Sequence, residues 1–155
     1  MERKLWWIKI LVSSVFVFSY FNVYCQDIVA ITQSSNLRIN LQGIRNNKGV
    51  ILLSLFSSAD GYPSDASKAD QKIRMPVKKL QLPIVLKNMK PGKYAIALLH
   101  DEDEDGKMGT TFLGLPKEGY GFSNNVMGLA GPPSFQKASF IVPVSGTEIL
   151  IKVRY

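Results

Sequence analysis

The sequence predicts an all-β fold: a small antiparallel β-sandwich, immunoglobulin-like or transthyretin-like, with one long ordered loop. Three observations predict it. Apolar residues recur mostly at every second position, the period of a strand rather than of a helix. Clusters of Gly, Pro, Asn and Asp divide these runs into about six or seven short segments. No segment carries a convincing long helical pattern.

The elements follow in chain order. Leu37-Arg38-Ile39-Asn40-Leu41 alternates cleanly, Asn46-Asn47-Lys48-Gly49 is a turn, and Val50 to Phe56 is a fuller apolar strand. These two strands read as a hairpin. Residues 57–76 are polar, with one helical turn expected near Ser67 to Lys72. Leu80, Leu82, Ile84 and Leu86 alternate again, and Pro83 places that run at a sheet edge. Pro91-Gly92 suits the centre of a type II turn, and Tyr94 to Leu99 is the next strand. Residues 101–136 are irregular, with Gly and Pro at positions that favour an ordered loop. Ala138 to Val142 and Glu148 to Val153 supply the last two strands.

The N-terminus has the three parts of a secretory signal. Arg3, Lys4 and Lys9 precede an apolar run from Ile10 to Phe21, and Val23-Tyr24-Cys25 offers a cleavage site. The expected organisation is a signal peptide over 1–25 and one β-sandwich domain over 26–155, working in the periplasm, at the cell surface or outside the cell. An uncleaved anchor would need roughly 20 apolar residues, and Lys9 interrupts any extension of the run. Lipidation of Cys25 would want small residues before it, where Tyr24 is bulky. No membrane span is expected once the signal is removed.

From Gln26 onward, sixteen Lys and Arg stand against eleven Asp and Glu, and no cysteine remains. That excludes a disulfide framework. Lys78, Lys79, Lys87, Lys90 and Lys93 are scattered near strands and a turn without interleaved aromatics, the pattern of blocked sheet edges rather than of nucleic-acid binding.

The densest chemical signal is His100-Asp101-Glu102-Asp103-Glu104-Asp105-Gly106-Lys107. Alternating carboxylates followed by glycine match the first half of a D-x-D-x-D-G calcium loop. A hard cation wants several oxygens, and a backbone that wraps around it brings every second side chain inward. Asp101, Asp103 and Asp105 are the candidate carboxylate ligands, Lys107 would offer its carbonyl, and Glu118 is the nearest carboxylate that could close the shell. Phe112 stands where an EF-hand has its bidentate Glu, and no flanking helices are expected, which excludes an EF-hand proper. His100, the only histidine, is the one candidate centre for a hydrolase, paired with Asp101 or Glu118, but no nucleophile signature accompanies it. Tyr120, Phe122 and Asn124, set among three glycines, could stack on a sugar or grip a peptide. The alternative is that both rings fold back onto the core.

These residues resemble a family of bacterial exported proteins, domain-of-unknown-function family 2141. The resemblance rests on Pro91-Gly92-Lys93-Tyr94-Ala95, on His100-Asp101-Glu102 leading into Asp105-Gly106-Lys107, and on the run from Gly114 to Asn125. Pro133-Ser134-Phe135 and the closing Ile151-Lys152-Val153-Arg154-Tyr155 also fit. The family usually has Asn where this chain has Asp103 and Asp105, and often Asp in place of Gly109. The resemblance implies a secreted β-sandwich, similar to transthyretin-like and carboxypeptidase-regulatory-like modules, and implies no known activity. The expected function is an exported, non-enzymatic module with a calcium-stabilised loop at 101–118. A carbohydrate- or peptide-binding module and a His100 hydrolase are the alternatives, and a cell-envelope protein or glycan is the expected partner.

Overall fold

The computed structural model describes residues 35–129 and 131–155. The signal over 1–25 and the domain boundary at Gln26 lie outside the described residues.

Eight strands follow in order: β1 (Ser35–Gln42), β2 (Val50–Phe56), β3 (Gln71–Pro76), β4 (Ile84–Met89), β5 (Gly92–Asp101), β6 (Gly119–Phe122), β7 (Phe140–Val142) and β8 (Thr147–Lys152). One short helix, α1 (Phe135–Ala138), precedes β7. Three strands form one sheet in the order β4-β1-β8. The other sheet runs β3-β2-β5-β6, with β7 added to the start of β5. Every pairing is antiparallel except β1 with β8, which is parallel from Leu37–Thr147 to Gln42–Lys152.

Strand alternation builds the core directly. Leu37, Ile39 and Leu41 turn one face of β1 inward, joined by Ile84 and Leu86 of β4 and Ile151 of β8. Ile51, Leu53, Leu55, Ile96 and Leu98 meet them from the second sheet. Each such side chain contributes about 1.5–3 kcal/mol by leaving water. The second sheet is covered on its other face as well. Phe56 and Ala95 pack there against Phe135 and Ala138 of α1, with Tyr62 and Val126 beside them. Ser123 pins this cover down: its buried hydroxyl accepts the Ile96 N–H at 2.9 Å and donates to the Ala138 carbonyl at 2.6 Å. The described residues form one compact unit that holds both apolar clusters and every strand pairing described, so the unit supplies its own core. No helix among the described residues is long and apolar enough to cross a membrane.

The sandwich agrees with the sequence reading, and four local expectations change. β1 and β2 are not a hairpin, because they belong to different sheets. β2 buries residues on both faces and needs a neighbour on each side, which β3 and β5 provide. The expected helical turn near 67–72 is a 3-10 turn at Ala66–Lys68 followed by β3. Pro91-Gly92 does not form a type II turn, since the left-handed residue of that connection is Asn88 and not Gly92. β6 lies within the expected loop, where two glycines in a four-residue strand hide the alternation. Pro83 does mark an edge, just before β4 at the rim of the smaller sheet.

Candidate metal centre

β5 runs on through His100 and Asp101, two residues beyond the apolar run that defines it in the sequence. Asp101 still pairs with Val50 across the ladder. Neighbouring residues of a strand face opposite ways. His100 therefore turns into the sandwich and Asp101 to the other face of the sheet. Both are sealed, with Asp101 1% exposed and His100 0%.

Past Asp101 the chain reverses through left-handed backbone at Glu104 (φ 64°) and Gly106 (φ 80°). The carboxylates hold this reversal together. Asp101 Oδ2 accepts the Gly106 N–H at 2.9 Å, Asp103 Oδ1 accepts from Asp105 at 3.2 Å, and Asp105 Oδ1 accepts from Lys107 at 2.7 Å. One carboxylate oxygen from each of Asp101, Asp103 and Asp105 lies within 4.8 Å of the others. The odd-numbered acids thus converge, as the spacing predicts.

The even-numbered acids turn away and find cations. Glu102 takes the Arg45 Nε at 2.6 Å and the Asn46 amide at 3.1 Å. The Arg45 hydrogen bond, helped by Asn46, holds the Glu102 carboxyl below its ordinary range against the opposing effect of burial. Glu104 pairs with Arg74. Among the described residues, no Lys or Arg forms an ion pair with Asp101, Asp103 or Asp105.

Asp101 is the most demanding member. Its Oδ1 is buried and has no hydrogen-bond partner among the described residues. Burial pushes its carboxyl above the ordinary range, the backbone N–H groups of Gly106 and Glu104 pull the other way, and the charges of Glu118 and Asp105 add to the upward push. A buried carboxylate oxygen without a partner is costly unless something positive meets it.

Glu118 has a different place from the other sequence candidates. It is buried, and its two oxygens accept backbone N–H groups, from Glu102 at 2.7 Å and from Gly109 at 2.8 Å. It stands outside the three-carboxylate cluster and clamps the acidic loop to the start of the next loop. Lys107 contributes its N–H to Asp105, and its side chain is exposed.

Tyr120 and Phe122 both sit on β6, with ring centroids 6.0 Å apart. They point to the same face of the sheet as Asp101. Phe122 is 7% exposed, part of the cover rather than a presented ring. The intervening glycines have a packing reason. A Cβ on Gly119 would lie 2.5 Å from the Tyr155 ring, and one on Gly121 would lie 2.8 Å from the Lys152 carbonyl. Asn124 donates its amide to the carbonyls of Lys137 at 3.2 Å and Ser139 at 2.8 Å, tying its loop to the end of α1.

His100 faces away from both of its expected partners. Its Nδ1 meets the Tyr155 hydroxyl at 2.6 Å and its Nε2 meets the Lys48 carbonyl at 2.9 Å. The carbonyl can only accept, so Nε2 donates to it, and in the neutral ring Nδ1 accepts from tyrosine. Tyr155 also accepts the Arg45 N–H at 3.1 Å, and the Arg45 guanidinium lies 4.2 Å over its ring. Asn46 and Arg45 are the supporting residues that sequence reasoning missed. Nothing in the 43–49 turn announces that it packs against a loop some sixty residues later, although Gly49 leaves room for it: a Cβ there would lie 1.9 Å from the Asp101 carbonyl.

No curated protein and no solved structure matches the chain. Residues 39–149 match the model of the family described as "Uncharacterized protein conserved in bacteria" (DUF2141), which spans both sheets and the acidic loop, and the chain belongs to that family.

Proposed function

We propose that this protein is an exported, non-enzymatic β-sandwich module whose acidic loop takes a divalent cation, calcium by the chemistry of its donors. One observation carries the reading. Three carboxylates converge within 4.8 Å, and among the described residues no cationic side chain pairs with them and the buried one keeps an oxygen without a partner. An all-oxygen set of hard donors on a short, curved loop suits calcium, which tolerates irregular shells, better than magnesium, which demands near-octahedral geometry. Asp101, Asp103 and Asp105 would supply carboxylates, and the Lys107 carbonyl and water would fill further positions. Glu118 would hold the loop in register from behind. The signal-like N-terminus supports export. Outside the cytoplasm, calcium modules work with dissociation constants on the order of 10⁻⁴–10⁻³ M.

Calorimetry of the Gln26–Tyr155 fragment tests the cation. The expected result is one-site heat with calcium and a raised Tm. At 10 mM calcium such a Kd stabilises by about 1.4–2.7 kcal/mol. Absence of both heat and a Tm shift would overturn the reading. N-terminal sequencing of the protein recovered from outside the cytoplasm tests export, with Gln26 expected as the first residue. An unprocessed Met1 terminus found only in the cytoplasm would overturn that part.

A further inference from the structure

Residues 109–118 form a narrow finger beside the acidic loop. Lys117 donates to the Gly109 carbonyl at 2.8 Å, and Thr110 bridges Pro116. The tip is closed by Thr111 N–H to the Leu115 carbonyl at 2.8 Å, Gly114 N–H to the Thr111 carbonyl at 2.9 Å, and Leu115 N–H to the Thr111 hydroxyl at 3.1 Å. Gly114 adopts φ +77° there. This ordered tip holds three large apolar side chains in water: Phe112 is 103% exposed, Leu113 80% and Leu115 60%. Contiguous exposed apolar groups on a hydrogen-bonded turn mark an interaction surface.

The base of the finger is tied to the acidic loop by one residue. Glu118 accepts N–H groups from Gly109 at the finger's start and from Glu102 within the acidic loop. Lys107 and Lys117 flank the base, both exposed, and neither pairs with an acidic side chain among the described residues.

We propose that this finger docks the protein on an anionic lipid bilayer, with Phe112, Leu113 and Leu115 entering the interface when the adjoining acidic loop holds calcium. The docking rests on the cation reading above. A convex apolar tip needs a partner that deforms around it, which fluid acyl chains do without a preformed pocket. Lys107 and Lys117 can reach headgroup phosphates while their stems lie along the apolar boundary. A metal-free acidic loop would repel the same surface. Calcium offsets two of the three carboxylate charges and so weakens that repulsion, and three carboxylates leave open several of the six to eight positions the ion takes, which phosphate oxygens can fill. A second copy of the chain is a poorer occupant, because three side chains at a tip fall far short of the roughly 1,200 Å² that a stable interface buries.

The test is co-sedimentation of the Gln26–Tyr155 fragment with protein-free vesicles of phosphatidylglycerol in phosphatidylcholine, with calcium or with chelator, beside calorimetry on the same samples. Binding is expected only with calcium and only to anionic vesicles. The Phe112→Ser/Leu113→Ser variant is expected to lose at least about tenfold in partitioning while its calcium heat is unchanged. Calcium heat without vesicle binding would overturn the docking and leave the cation reading standing. Absence of heat would overturn the cation reading itself. Tip-dependent vesicle binding that persists in chelator would overturn the calcium coupling. Binding confined to protein-bearing membranes and lost on protease treatment would assign a protein partner instead. A dimer abolished by the double variant would assign a second copy. Either result overturns the proposal.

Discussion

Glu118 accepts the backbone N–H of Glu102 at 2.7 Å with one carboxylate oxygen, while its other oxygen holds Gly109. A buried carboxylate used in this way is a splice between two loops. Glu118→Gln keeps the shape but turns one acceptor into a donor that faces an N–H. We predict a loss of about 1.5–3 kcal/mol in urea unfolding, present in chelator as well as in calcium. A loss seen only with calcium would make Glu118 a ligand and not a clamp.

Asp101→Asn should act with opposite signs in two buffers. Without metal, the substitution removes a buried negative charge whose Oδ1 has no partner, so Tm should hold or rise. With calcium, it removes a ligand, and the gain of about 1.4–2.7 kcal/mol at 10 mM should disappear. Equal Tm losses in both buffers would count against the site.

Tyr62 offers a test away from the acidic loop. Its ring stacks edge-on against Phe56 at 5.3 Å and Phe135 at 5.8 Å, but its buried hydroxyl has no partner among the described residues. Burial pushes the phenol well above its ordinary value of 10.0. The folded state therefore keeps a proton that the unfolded chain gives up. The associated stability is intact below pH 10 and lost as pH climbs toward the folded value. Tyr62→Phe should stabilise by about 1–2 kcal/mol at neutral pH and blunt the alkaline loss. Tyr94 and Tyr155, whose phenols burial also raises, will keep part of it. A Tm that falls at neutral pH would refute the unsatisfied hydroxyl.

Two glycine substitutions should cost stability for different reasons. Gly121→Ala places a Cβ 2.8 Å from the Lys152 carbonyl, backbone that can move only by parting β6 from the end of β8. Gly106→Ala meets nothing within 4 Å but must hold φ +80°. We expect about 1–3 kcal/mol for the first and about 1–2 kcal/mol for the second. Calcium should partly offset only the second, since only that residue belongs to the acidic loop.

Much of this molecule is legible in its sequence where burial is one-sided. Leu37, Ile39 and Leu41 alternate because one face of β1 meets the core, and Pro83 marks its edge because it cannot donate to a ladder. β3 escapes notice because its pattern is exposed throughout but for half-buried Ile73 and Met75. The pairing of β1 and β2 is misread because sequence proximity suggests a hairpin, whereas β2 has two buried faces and needs other neighbours. The converging aspartates follow from their spacing. The sealed position of Asp101 does not, since it depends on β5 continuing past its apolar run. The role of Glu118 is hidden for a related reason: a carboxylate that binds amides looks the same in a sequence as one that binds a metal.

The parallel union of β1 and β8 also sets a timetable. Arg38 and Glu148 meet across that seam from 110 residues apart. The smaller sheet can then reach full width only after nearly the whole chain has been made, and contacts so distant in sequence slow folding. That sheet stays incomplete until its last strand arrives. If the chain is exported as proposed, such lateness is an advantage in a translocation channel, because the chain reaches the far side before it has a finished shape to undo.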